Sequence, residues 1–300
     1  MTSTAPNHGW RGTLRYNTSL SQFTSWRVGG PAERFYRPAD LEDLQYFLSS
    51  LPADEPLVWL GLGSNLLVRD GGIRGTVIAL HGGLTQLQRI ADTVVRAEAG
   101  IPSAKMARFC AQQGLSGVEF MAGIPGTFGG ALAMNAGAFG GETWDRVIAV
   151  ETIDRLGMIR LRNADEFRAK YRNVTGLGEE EWFVAGQLRL EPSKPREAMV
   201  KIRSLLACRS ELQPTGVASC GSVFRNPKGD YAARLIELAG LKGIAIGGAE
   251  VSEKHANFIV NRGHARAADI ETLIHHVQSQ VEQATGIHLI PEVRVVGKSV

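Results

Sequence analysis

Cysteine is scarce in this 300-residue chain: there are three, Cys110, Cys208 and Cys220. An odd count at wide spacing argues against a disulfide framework and against a zinc knuckle, and it suits a reducing cytoplasm. Net charge is equally sparse at +3, so nothing calls for a nucleic-acid partner. No apolar run approaches the roughly 18–20 residues that span a bilayer, and no membrane partner is expected. The opening, Met1 to Gly12, is polar, contains Pro6 and Gly9, and lacks the apolar stretch of a secretory signal. Repeats and low-complexity tracts are absent. The seven histidines contain no H-E-x-x-H, and His275-His276 falls on the polar side of a helix, so no metal site is expected.

What the chain has in abundance is glycine, 35 residues of it. Glycine serves where the backbone takes positive φ or lies against a ligand. Eight glycines fall within Gly117–Gly141, a density that ordinary helices and strands do not tolerate. This stretch reads as long loops around one short helix. Around it, periodicity and capping predict helices over 41–51, 103–113, 197–208, 231–239 and 268–285. Strands are expected at 57–60, 76–80, 93–98, 147–153, 158–161, 183–190 and 293–296. Pro192 and Pro195 mark a boundary. It separates a Gly-rich ligand-binding region, 1–194, from a smaller α+β domain, 195–300.

Five segments could carry chemistry. A strand runs into Gly61-Leu62-Gly63-Ser64-Asn65, where small residues let backbone N–H groups approach a pyrophosphate. Alone, this could equally be a tight turn, since Leu66 stands where a dinucleotide fingerprint needs its third glycine. Gly123-Ile124-Pro125-Gly126-Thr127-Phe128-Gly129-Gly130 is a second rigid loop poor in side chains, suited to a diphosphate or to a structural loop. Tyr171-Arg172-Asn173 offers a cation. Gly221-Ser222 within Cys220–Pro227 can present a hydroxyl as a proton donor, or simply a turn serine. Glu292 and Arg294 stand two apart on an expected strand and would face one side. His255 could be a core hydrogen-bonder or a substrate contact.

In order and wording these segments resemble the UDP-N-acetylenolpyruvoylglucosamine reductases. The matching runs are Asn17-Thr18 with Thr24–Ala32, Gly61–Val68, Gly123–Gly130 with Met134–Gly140, Tyr171-Arg172, Gly221–Pro227, Val251–Asn261 and Pro291–Arg294. They span nearly the whole chain, and the compact C-terminal part looks like the family's shorter, type II branch. The resemblance implies an α+β protein. It would have an FAD-binding part of two α+β subdomains, of the vanillyl-alcohol-oxidase (PCMH) type, and a C-terminal α+β substrate-binding domain. It also implies non-covalent FAD, with NADPH as co-substrate. The reaction implied is reduction of the enolpyruvyl ether of UDP-N-acetylglucosamine enolpyruvate to UDP-N-acetylmuramate for peptidoglycan.

By motif position, Ser222 matches the proton donor, and Arg172 and Glu292 match the residues that stabilise the anionic intermediate. Gly61, Gly63, Ser64, Asn65, Gly123, Pro125, Gly126, Thr127, Gly130 and Arg294 fall to the cofactor, and Arg209, Asn226 and His255 to the substrate. The family pattern has a basic residue where Leu212 stands; Lys201, Arg203 or Arg225 could hold the phosphate instead. A cytoplasmic monomer is expected. The alternative is a related FAD-dependent oxidase of an alcohol or sugar. Such oxidases often anchor FAD covalently, and the Gly61–Gly71 loop has no histidine for that.

Overall fold

The computed structural model describes residues 9–300, so the first eight residues of the polar opening lie outside the described residues. Its α-helices are α1 (Leu41–Ser49), α2 (Ser103–Gln112), α3 (Phe128–Met134), α4 (Pro195–Leu212), α5 (Ala232–Leu238) and α6 (Ala267–Thr285). Local chemistry explains their ends. The Asp40 carboxylate accepts the Asp43 N–H at 2.9 Å and starts α1. Gly286, at φ 72°, ends α6. α4 runs longer than the expected 197–208, because Pro195 is at home in a first helical turn, where its missing N–H is not needed. α5 starts one residue late, with Tyr231 rather than Asp230 at its N-cap. Asp230 instead accepts the Tyr231 N–H at 2.7 Å.

The chain divides into two compact units. The first comprises the chain up to Tyr16, Arg34–Leu62 and Gly75–Cys208; the second comprises Asn17–Glu33, Gly63–Arg74 and Arg209–Val300.

In the first unit, a five-stranded antiparallel sheet runs in the order Ile159–Asn163, Val147–Asp154, Glu181–Arg189, Val94–Glu98, Leu87–Ala91. Residues of α2 and α3, among them Met106, Cys110, Phe128 and Leu132, share a buried core with Val150 and Leu188 of that sheet. In a second core Tyr36 stacks on Phe47, with ring centroids 3.6 Å apart. Leu57–Leu60 pairs in parallel with Thr76–Ala79 and delivers the chain to Gly61.

The second unit is assembled from segments far apart in sequence. Ala245–Ile246, Ala249–Val251 and Ile259–Asn261 form a small antiparallel sheet. Arg294–Val296 pairs in parallel with Leu66–Val68. Its core joins Trp26, Phe224, Leu235, Ile270, Leu273 and Val277. The buried Trp26 indole donates to the Ile259 carbonyl at 2.7 Å, and Asp70 accepts the Ala267 and Ala268 N–H groups that open α6.

Candidate active site

In the first unit, the Gly123–Gly130 loop is anchored at both ends. The Ser103 N–H donates to the Gly126 carbonyl at 3.0 Å, and Phe128 and Gly129 donate to Ile101 and Ala99 at 2.8 and 2.9 Å. Gly123 closes a short 3-10 turn and is buried. Thr127, also buried, is the N-cap residue of α3. Gly61 lies against this loop, and a Cβ there would collide with the Thr127 hydroxyl. The structure therefore brings the Gly61 end of one expected loop together with the second.

Arg172 sits in a tight hairpin turn, where Lys170 pairs with Asn173. Its φ is +54°, a left-handed backbone usually left to glycine or asparagine at the second turn position. The strain is held by its surroundings. The guanidinium lies 5.0 Å from the Tyr171 ring centre and donates to the Gly137 carbonyl at 3.3 Å. The buried Asn135 amide, also in a left-handed conformation, donates to the Lys170 carbonyl at 3.3 Å. The cation is thus held in a strained backbone conformation by its neighbours.

In the second unit, Ser222 rides on a bulge. Ser219 pairs with Val260, and the Val223 N–H donates to the Asn257 carbonyl at 2.9 Å. Between these anchors the serine side holds one residue more than its partner. Gly221, at φ +80°, absorbs the extra residue. On the other flank, Phe224 pairs with Pro291; Glu292 N–H donates to Val223 O at 2.8 Å and Arg225 N–H to Ile290 O at 2.9 Å. Ser222 and Glu292 are thereby carried on adjoining segments. Burial, with the Glu292 charge adding to it, pushes the Cys220 thiol well above its ordinary range. Cys220 therefore remains a neutral neighbour.

Asn65 belongs to the same assembly. Its side chain donates to the Glu292 carbonyl at 3.1 Å, and its own carbonyl accepts the Arg294 N–H at 3.1 Å. The side chain expected to meet the cofactor thus also fixes the Glu292 carbonyl. Gly63 and Ser64 share this unit, whereas Gly61 belongs to the first. Arg294 opens its strand as an exposed residue and Glu292 precedes the strand, so the expected same-strand pair does not form as such.

Among the expected substrate contacts, Arg209 is half-buried; desolvation lowers its pKa, and its Nε donates to Gln213 at 2.9 Å. Asn226 is exposed, and its Oδ1 accepts the Ala232 N–H at 3.1 Å. His255 packs edge-on against Phe258, with centroids 4.8 Å apart, and its Nδ1 accepts the Asn257 N–H at 3.3 Å. Burial lowers its pKa, which favours the neutral ring.

With this geometry in place, comparison with known proteins is informative. Residues 213–296 match the model of the UDP-N-acetylenolpyruvoylglucosamine reductase C-terminal domain, and residues 32–161 match an FAD binding domain. The UDP-N-acetylenolpyruvoylglucosamine reductase of Legionella pneumophila (strain Lens) is 58% identical over 288 residues, covering 96% of this chain and 93% of its own. The chain belongs to the UDP-N-acetylenolpyruvoylglucosamine reductase family. The family enzyme of Alkalilimnicola ehrlichii is also 58% identical, with 96% of each chain covered. The crystal structure of the reductase from Thermus caldophilus matches with a TM-score of 0.81 at 32% identity, over 95% of this chain and 98% of that one. The fold is accordingly α+β, as the resemblance implied.

The first unit suits the flavin dinucleotide of such a family. Its loop is short of side chains, and a Cβ on Gly129 would lie 2.7 Å from the Ala99 Cβ. Sequence reasoning missed Asn257, which clamps Phe224. A polar residue between Ala256 and the apolar run Phe258–Val260 was the available signal, because a buried amide must be satisfied.

Proposed function

We propose that this chain catalyses the NADPH-dependent, FAD-mediated reduction of UDP-N-acetylglucosamine enolpyruvate to UDP-N-acetylmuramate, a step of peptidoglycan precursor synthesis. Bound FAD supplies the two-electron relay between NADPH and the enolpyruvyl double bond. The protein's own task is to hold charge and move one proton. As electrons enter at the methylene carbon, negative charge builds beside the carboxylate. Arg172 offers a fixed cation to that charge, Glu292 stabilises it as the protonated acid, and Ser222 delivers a proton to the α-carbon. NADPH leaves as NADP⁺, and the proton Ser222 gives up is restored from solvent.

The observation that carries this reading is the bulge holding Ser222 beside the Ile290–Glu292 segment. Gly61, Gly123, Pro125, Gly126, Thr127 and Gly130 line the diphosphate of FAD, with Gly63, Ser64, Asn65 and Arg294 completing the cofactor set. Arg209 and the Asn226 amide NH₂ meet the nucleotide sugar, together with His255. Region 1–194 binds FAD and region 195–300 binds substrate. The enzyme acts as a monomer in the cytoplasm; among the described residues, no helix is long and apolar enough to cross a membrane. The oxidase reading is disfavoured, since family membership points to the reductase and an oxidase would leave Ser222 and Glu292 idle.

Anaerobic stopped-flow tests the assignment. In Ser222→Ala, NADPH should bleach the flavin at the parent rate, while reoxidation by the enolpyruvyl substrate slows by about 10²–10⁴-fold. A fast second half-reaction would remove Ser222 as proton donor, and a protein that cannot be reconstituted with FAD would remove the flavin.

A further inference from the structure

The segment that carries Ser222 is held by one side chain. The Asn257 amide is buried; its Oδ1 accepts the Phe224 N–H at 2.9 Å, and its Nδ2 donates to the Phe224 carbonyl at 2.8 Å. Its backbone carbonyl accepts the Val223 N–H. Three bonds from one residue thus fix the two residues that follow Ser222. The same two residues carry Glu292, since the Val223 carbonyl accepts the Glu292 N–H and Phe224 pairs with Pro291. A neutral amide offers a donor and an acceptor on separate atoms, one for each polar group of Phe224. Aspartate keeps the acceptor and loses the donor. Buried as it is, the clamp has no water to replace a lost bond.

We propose that Asn257 is a positioning residue for proton delivery. By clamping Phe224 it sets the bulge that presents Ser222 and, through Val223 and Pro291, the placement of Glu292. It touches neither flavin nor substrate in this role. The inference rests on the reading of Ser222 as proton donor. Its signature is a split between half-reactions, because a misplacement on the order of 1 Å suffices to slow a reaction by about 10²-fold, whereas flavin reduction by NADPH needs no proton from Ser222.

Asn257→Asp is the test variant. Flavin reduction by NADPH should stay within about twofold of the parent, and reoxidation by the enolpyruvyl substrate should slow by about 10–100-fold. The solvent deuterium isotope effect on reoxidation should rise as proton transfer becomes limiting, and Asn257→Gln should recover part of the rate. Parent-like reoxidation in folded Asn257→Asp overturns the proposal, as does an equal loss in both half-reactions, which marks a merely structural role. If Asn257→Asp does not fold, Asn257→Ser is read in the same way; failure of both to fold also overturns it. The parallel Ser222→Ala measurement separates the two claims. Fast reoxidation there sinks the proton-donor reading itself, while slow reoxidation in Ser222→Ala with fast reoxidation in Asn257→Asp sinks only the positioning role.

Discussion

The Gly123–Gly130 loop and the Cys220–Arg225 segment are shaped by opposite means. The loop works by leaving side chains out. Gly61 lies against Thr127 and Gly129 against Ala99 where a methyl group would not fit, and the contacts come from neighbouring stretches of one unit. The serine segment works by cross-bracing. Asn257 and the Ile290–Glu292 stretch converge on it through backbone and amide bonds, and Asn65 in turn braces the Glu292 carbonyl. A surface made by omission fails when an atom is added. A surface made by bracing fails when a donor or acceptor is removed.

Arg172 gives the sharpest way to break this comparison, because it is a side chain held in a backbone conformation suited to glycine. Arg172→Gly should lower turnover by about 10²–10³-fold while leaving the melting temperature equal or higher, since about 1 kcal/mol of left-handed strain is relieved. Parent-like turnover with a lower melting temperature would make the hairpin structural only. Next in size, Gly61→Ala should lose FAD on gel filtration and cost about 1–3 kcal/mol in urea unfolding, as overpacking does. Adding Thr127→Ala should restore part of the stability, and no recovery would show that the clash with Thr127 is not the cause.

The smallest effect concerns Asp269, which belongs to the bracing of the second unit. Its carboxylate accepts the Arg266 N–H at 2.9 Å and the Gly248 N–H at 3.3 Å, and these bonds hold it below its ordinary value. A depressed carboxylate stabilises the fold above its unfolded pKa, and that contribution is lost as pH falls through the folded pKa. Asp269→Asn should therefore weaken the fold at pH 7 and flatten its loss of stability below about pH 4. Urea midpoints at pH 7 and pH 3 check this, and an unchanged difference between them would rule out the linkage.

The parts legible in the sequence were those with local causes. Asp40 and Gly286 mark helix ends, the apolar stripe of α6 runs from Ile270 to Val281, and both small-residue loops lie along the chain as read. What escaped depends on partners far away. The two- and three-residue strands of the second unit have no period long enough to detect, and their pairing is decided by tertiary contacts. Asn65 gave no sign of its bracing bond for the same reason. Its neighbours in sequence suggest a ligand loop, while its partner is the carbonyl of Glu292.

The parallel pairing of Arg294–Val296 with Leu66–Val68 carries a consequence for how the chain is made. Leu66–Val68 leaves the ribosome more than two hundred residues before its partner strand exists. At roughly 5–20 residues per second, that strand edge waits for on the order of tens of seconds, and the Trp26 core waits with it. Translation speed over the three quarters of the message that follow Val68, rather than any single residue, then sets how long an apolar strand remains open to the wrong partner.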